Sequence, residues 1–285
     1  MAPIEPQHAA DYDDRTTAAV RSVLLEIGQI LGSFHGKFAV IGGAVPWLLL
    51  EEAEMPHVGT VDVDLSLDAE ALGDGEYARL IESLQMHGYH QRGSLRRFQL
   101  VRTVGARDGG PDISVVVDFL MPRDADIVKN ATPLVSNFAV QRADGADLAL
   151  RFSEVIHIEG TMPDGVGNRV KILVASIPAL LAMKGYAVRN RLKHKDAYDI
   201  YYCVRNFPGG LEALVAATSP LLDVETAKNG YIGISEKFRH VNDFGPTSVR
   251  RFVETSELLG ERTADQWQQD AFGQVEAWLT ALGLR

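Results

Sequence analysis

The sequence predicts an α/β core followed by a helical C-terminal region. Three observations carry that expectation. Short runs rich in β-branched and apolar residues, Phe38–Ile41, Thr60–Leu67 and Ile113–Leu120, are bounded by turn-forming residues, as strands are. Amphipathic stretches accompany them: Val20, Val23, Leu24, Ile27 and Leu31 recur at helical spacing, as do Tyr77, Leu80, Ile81 and Leu84. At Ser176 the character changes, and the spacing beyond it is helical.

A chain of 285 residues suits one large domain or two small ones. With 46% hydrophobic and 23% charged residues it reads as a globular protein with a real core. The single Cys203 excludes an intramolecular disulfide and a cysteine-based zinc site within one chain, so a cytoplasmic location is the default expectation. Met1 to Pro6 lacks the basic and apolar regions of a signal peptide. No apolar run approaches the roughly 20 residues that cross a bilayer, and no membrane partner is expected. The formal charge of −10 argues against wholesale electrostatic binding of nucleic acid, but not against a local basic patch.

In order, residues 3–10 read as a lead-in and Asp13 to Leu31 as a helix, punctuated by Gly32 and Gly36. Phe38–Ile41 is the first strand. Gly42-Gly43 follows, then a helix from Ala44 to about Glu52 with Pro46 in its first turn. After the loop Met55–Gly59 comes the strand Thr60–Leu67. Alternate strand residues share a face, so Asp62 and Asp64 project together, about 7 Å apart, while Val61, Val63 and Leu65 project oppositely. Paired carboxylates suit hard divalent cations such as Mg²⁺. Glycines without side chains let backbone N–H groups approach an anion closely. A phosphate cradle beside metal-binding acids is the equipment of phosphoryl or nucleotidyl transfer.

Gly75–His87 reads as a helix, Phe98–Val104 as a strand, residues 107–112 as a turn, and Ile113–Leu120 as a strand. Asp118 is an acid within that apolar strand. Burying it unpartnered is costly, a cost that a metal shared with Asp62 and Asp64 would remove; the alternative is a surface acid at the strand's end. Val135–Val140, Ala149–Ile158 and Val170–Val174 read as further strands with no assigned chemistry. On the helical stripe Ile177, Leu180, Leu181 and Val188 sits Lys184, which either snorkels or reaches an anionic group in a cleft. Asp196 and Asp199 share a helix face, and the alternative reading for them and for Lys184 is a structural salt-bridge network joining two helices. Arg189, Arg191, Lys193 and Lys195, with His194, make the one dense basic cluster, suited to phosphates or, equally, to a solvated helix face. Leu211–Leu222, Val224–Lys228, Ser248–Leu259 and Ala264–Leu282 read as further helices.

Gly42-Gly43 followed by Thr60-x-Asp62-x-Asp64 resembles the nucleotidyltransferase superfamily related to DNA polymerase β. Within it the chain is most similar to the AbiEii/AbiGii toxin-type nucleotidyltransferases. The order Lys184, Arg189 or Arg191, Lys195-Asp196, Asp199-Ile200 is similar to their later signature. The resemblance implies a mixed-sheet nucleotidyltransferase core over residues 36–175, after a helical lead-in (1–35) and before a helical region (176–285). It implies transfer of a nucleoside monophosphate from an NTP such as ATP to an acceptor hydroxyl. Two Mg²⁺ ions would be held by Asp62 and Asp64, with Asp118 sharing one. Gly42, Gly43 and Lys184 would contact the triphosphate, and Asp196 would orient that lysine or assist the acceptor. The implied acceptor is RNA, such as a tRNA end, and the implied partner is an antitoxin protein. Two departures stand out. Where many relatives carry an arginine just before the Asp-x-Asp element, this chain has His57-Val58-Gly59, and Gly43 replaces a common serine. Two rival readings stay open: transfer to a small cationic acceptor such as an aminoglycoside, and a catalytically silent nucleotide-binding or partner-binding protein.

Overall fold

A computed structural model describes residues 6–68, 75–91, 98–106, 108–123 and 141–285. The protein is an α/β protein with a mixed seven-stranded sheet and a helical C-terminal region. It divides into two compact units. One comprises Asp14–Ala44 and the described part of Gly59–Ala175; the other comprises residues 6–13, Val45–Val58 and Ser176–Arg285. The chain thus leaves the sheet unit after Ala44 and re-enters it at Gly59. The N-terminal stretch expected as a lead-in of its own is shared: its helix lies in the sheet unit, and residues 6–13 lie in the helical one.

The sheet unit holds α1 (Asp14–Ile30), β1 (Phe38–Ile41), β2 (Asp62–Leu67), α3 (Glu76–Met86), β3 (Gln99–Val104), β4 (Ile113–Pro122), β5 (Gln141–Ala143), α4 (Ala146–Arg151), β6 (Ser153–Thr161) and β7 (Gly167–Ala175). Helix α2 (Ala44–Leu49) begins at the point of exit. Strand order is β3-β4-β2-β1-β7-β6, with β5 pairing the far end of β4. The pairs β1/β2, β3/β4 and β6/β7 are antiparallel; β1/β7, β2/β4 and β4/β5 are parallel.

Helix α1 packs on the sheet through Val20, Val23, Leu24 and Ile27, all buried. Gly28 permits close approach, since a Cβ there would lie 2.7 Å from Val170 Cγ2. The same helix buries Glu26, whose carboxylate takes both Arg102 Nε (2.7 Å) and Nη2 (2.8 Å). Such a two-point pair offsets the desolvation of both ions.

One expected strand is corrected. Ala149–Ile158 is not continuous: α4 runs to Arg151 and β6 starts at Ser153. Gly145, with φ 78°, turns the chain into the helix, and Ala146, Leu148 and Ala149 are buried there. Alanine and leucine favour helix, whereas the β-branched Val155, Ile156 and Ile158 belong to the strand. The expected strand Val135–Val140 lies outside the described residues.

The helical unit contains α5 (Ile177–Asn190), α6 (His194–Asn206), α7 (Gly210–Thr218), α8 (Glu225–Lys237), α9 (Phe244–Val253) and α10 (Ala264–Ala281). Ser176 starts α5 by accepting the N–H of Ala179, with Pro178 in the first turn. Thr263 and Gln266 form a reciprocal cap on α10. Trp267, Trp278, Tyr198, Tyr231, Phe238 and Phe252 fill the core. Helices α5 and α8 touch backbone to backbone: a Cβ on Gly230 would lie 2.2 Å from Ala182 O. Among the described residues no helix is long and apolar enough to cross a membrane.

Candidate functional site

Period-two alternation sorts the sheet's two faces. On β2, Val63, Leu65 and Leu67 are fully buried, so Asp62, Asp64 and Ser66 share the opposite face. On β4, Val115, Val117 and Phe119 are fully buried, which sets Asp118 opposite them. The parallel register pairs Asp64 directly with Asp118, and Asp62 with Val116. Residues paired in register point the same way, and neighbouring strands lie about 4.8 Å apart. Asp62, Asp64 and Asp118 therefore stand on one face, each half-buried. Ser66, further along that face, donates to Ala146 O of α4 at 2.9 Å, which marks where helical cover begins.

The glycine turn meets this face. Ile41, the last residue of β1, is in register with Asp64. Gly42 follows with φ 71°, and a Cβ there would lie 1.9 Å from Asp64 Oδ2. Only glycine satisfies both the left-handed backbone and the space the carboxylate occupies. Gly43 directly precedes α2.

Two neighbours orient the acids. Thr60, buried, donates its hydroxyl to Asp62 Oδ1 at 2.9 Å. Gln99 Nε2, in register with Asp118, donates to Asp118 Oδ1 at 2.8 Å. The sequence reading missed both, although Thr60 stands two positions before Asp62, just ahead of β2, and was legible in principle. Among the described residues, no three His, Cys, Asp or Glu side chains converge closely enough to enclose a metal ion. The donors are nonetheless of the type Mg²⁺ takes. Mg²⁺ is held by one or two carboxylates, with waters and substrate phosphates completing its shell, rather than by an all-protein cage.

The helical unit carries a second set of charges. Lys184, expected to snorkel, to reach an anion or to join a salt-bridge network between two helices, is buried and lies 2.7 Å from both Asp196 Oδ1 and Asp199 Oδ2, so that α5 and α6 are joined by ion pairs. Arg191 Nε and Nη2 contact Asp196 at 2.7 and 3.0 Å. Lys195 contacts both oxygens of Asp199, at 3.0 and 3.2 Å. His57 Nε2 lies 3.0 Å from Asp199 Oδ1, with both side chains shielded from solvent. Of the expected basic cluster, Arg191 and Lys195 are thus part of this network, and Arg189 pairs with Glu236 at 2.9 Å.

Burial governs the protonation states here. It pushes His57 down to about 4, assisted by Lys195 and opposed by Asp199, so the ring is neutral near neutrality. Burial alone would raise Asp196, but Lys184 and Arg191 hold it at about 2. Asp199 is likewise held well below the usual range by Lys184 and Lys195 against its burial. Burial would lower Lys184; Asp196 and Asp199 overcome that and raise it. For Lys195 burial prevails and its pKa is lowered. With His57 neutral, Arg191, Lys184 and Lys195 are the cations that meet the carboxylates of Asp196 and Asp199 among the contacts described.

His57 was read from the sequence as part of a loop and, with Val58 and Gly59, as a departure from the arginine that many relatives carry there. Its partner is 142 positions away, and no local signal announces the pairing.

No protein-family model matches the chain, and no curated protein is found to be similar to it.

Proposed function

We propose that the protein is a metal-dependent nucleotidyltransferase that moves a nucleoside monophosphate from an NTP to an acceptor hydroxyl. The observation that carries the reading is the contact of the Asp64 carboxylate with the side-chain-free turn at Gly42, on the strand face that also bears Asp62 and Asp118. Carboxylates beside bare backbone donors suit a substrate that brings both phosphates and a cation. The resemblance of Gly42-Gly43 and Thr60-x-Asp62-x-Asp64 to the AbiEii/AbiGii toxin-type nucleotidyltransferases supports the same reading.

In this proposal Asp62 and Asp64 would hold two Mg²⁺ ions through carboxylate oxygen, and Asp118 would share one of them. When bound, Mg²⁺ supplies charge neutralisation at the phosphates and favours deprotonation of the acceptor hydroxyl. Thr60 and Gln99 fix the rotation of Asp62 and Asp118, so the acids need little rearrangement on binding. Asp118 helps draw the proton from the acceptor hydroxyl. Gly42 and Gly43 offer backbone N–H groups to the triphosphate. Lys184 keeps the role the resemblance implies, a cation for phosphate oxygens, with Asp196 orienting it. The cations Lys184, Lys195 and Arg191 of its network suit an anionic partner. RNA, such as a tRNA end, is the proposed acceptor, and an antitoxin the proposed protein partner.

The test is incubation of the protein with each α-³²P-labelled NTP, Mg²⁺, and either total tRNA or an aminoglycoside. Label should move to RNA with wild type and not with Asp64→Asn. Equal transfer by the variant rejects the assignment of the acids; label on the aminoglycoside alone replaces the acceptor.

A further inference from the structure

Asp199 is fully buried, and both its oxygens are engaged. Oδ1 meets His57 Nε2 and Lys195 Nζ, each at 3.0 Å; Oδ2 meets Lys184 Nζ at 2.7 Å and Lys195 again at 3.2 Å. A carboxylate bonded through both oxygens cannot rotate without giving up a partner.

His57 is the uncharged donor in this set. The charged and titratable groups facing its ring include Asp199, Lys195, Tyr198 and Tyr202 from α6 and Lys184 from α5. A neutral imidazole donates from one nitrogen and accepts at the other. The nitrogen facing an ionised carboxylate is the donor, so His57 restrains Oδ1 without adding a further cation to a cluster already rich in them.

The histidine is itself held in place. Its ring lies against Tyr198 and Tyr202, with centroids 5.7 and 4.7 Å away. The Tyr202 hydroxyl donates to Met55 O at 2.7 Å, two residues before His57. Nothing in this arrangement is required for hydrophobic packing alone, since an apolar residue of similar volume would avoid burying a polar ring.

We propose that His57 is a positioning residue for Lys184, acting through Asp199; this deepens, and rests on, the reading of Lys184 as a phosphate contact. The hydrogen bond to Oδ1 fixes the carboxylate's rotation, and that rotation presents Oδ2 to the lysine. Leucine at 57 fills the space without a donor. Glutamine restores one, because its amide nitrogen reaches about as far along the side chain as Nε2. Asparagine is too short.

The first arm of the test needs no substrate. The folded protein is treated with an N-hydroxysuccinimide acetate, and acetylation of Lys184 is followed by peptide mass spectrometry against the exposed Lys228. H57L should acetylate Lys184 about tenfold faster, the scale expected when a hydrogen bond to a charged group is lost, and H57Q should return to the wild-type rate. Equal rates in H57L and wild type overturn the proposal, as does a rise in H57Q equal to that in H57L. H57N takes the place of H57L if the leucine variant does not fold. In the second arm, KM for the NTP should rise in H57L with kcat little changed, and recover in H57Q. A fall in kcat at constant KM overturns the positioning role. Absence of NTP turnover by wild type overturns the nucleotidyltransferase reading, and the acetylation arm then decides His57 separately.

Discussion

Asp64 occupies the space that a side chain on residue 42 would need, its Oδ2 lying 1.9 Å from a Cβ built on Gly42. The two residues are brought together by the antiparallel register that sets Ile41 opposite Asp64. The glycine is therefore required twice, by its φ of 71° and by its neighbour. Gly42→Ala should lower stability by more than the roughly 1 kcal/mol that a left-handed backbone costs a non-glycine residue. In an Asp64→Ala background the overlap is relieved, and only the backbone cost should remain. A double-mutant cycle by urea denaturation measures the difference, and strict additivity would contradict the contact.

Asp62, Asp64 and Asp118 are half-buried, so isosteric replacement should cost chemistry more than stability. Asn at 64 should reduce nucleotide transfer by at least about 100-fold, the scale of losing a group that stabilises charge in the transition state. Its thermal midpoint should stay close to that of wild type. Gln99→Leu, which frees Asp118 Oδ1 from its donor, should reduce transfer by a smaller factor. Labelled-NTP incorporation read beside a melting curve separates the two effects.

Removing Asp199 leaves Lys184 and Lys195 buried with one carboxylate fewer between them. Breaking a buried pair from one side costs about 3–5 kcal/mol, and Asp199→Ala should fall in that range by denaturant unfolding. Arg191→Ala should cost about 1 kcal/mol or less, because half of that side chain is already in water. A similar loss for both would mean that the network does not distinguish its buried members from its exposed one.

The pH dependence of stability follows from His57. Its pKa is about 4 in the folded protein, against an ordinary value of 6.5 in the unfolded chain. Between those values the unfolded state binds the proton and the folded state does not. The stabilisation is therefore full above about 6.5, declines as pH falls, and is lost by about 4, amounting to about 3 kcal/mol. Asp196 and Asp199, held low in the folded state, weaken it at still lower pH as they protonate. Unfolding free energies at pH 7 and pH 5 should differ in wild type by more than in H57Q. An equal difference in both would locate the dependence elsewhere.

Much of the acid face was legible because it is local. Alternation along Thr60–Leu67 is enough to set Asp62 and Asp64 together, and alternation along Ile113–Leu120 marks Asp118 as the odd residue of its strand. The change at Ser176 was also legible, as the sheet unit ends at Ala175. The helix at 146–151 was not, because a short apolar run suits a buried helix turn as well as a strand, and packing decided between them; the strand beyond it, from 153, was read as one.

What the sequence determined by itself, then, is which residues alternate, where helices begin and where the chain turns, since neighbours within a few positions set those properties. The tertiary structure decided the register that matches Asp64 with Asp118, the contact of Asp64 with Gly42, and the bond from His57 to Asp199 across 142 positions. Each of these depends on how distant segments close on one another, and the desolvation that gives a buried ion pair its consequence exists only once the core has formed.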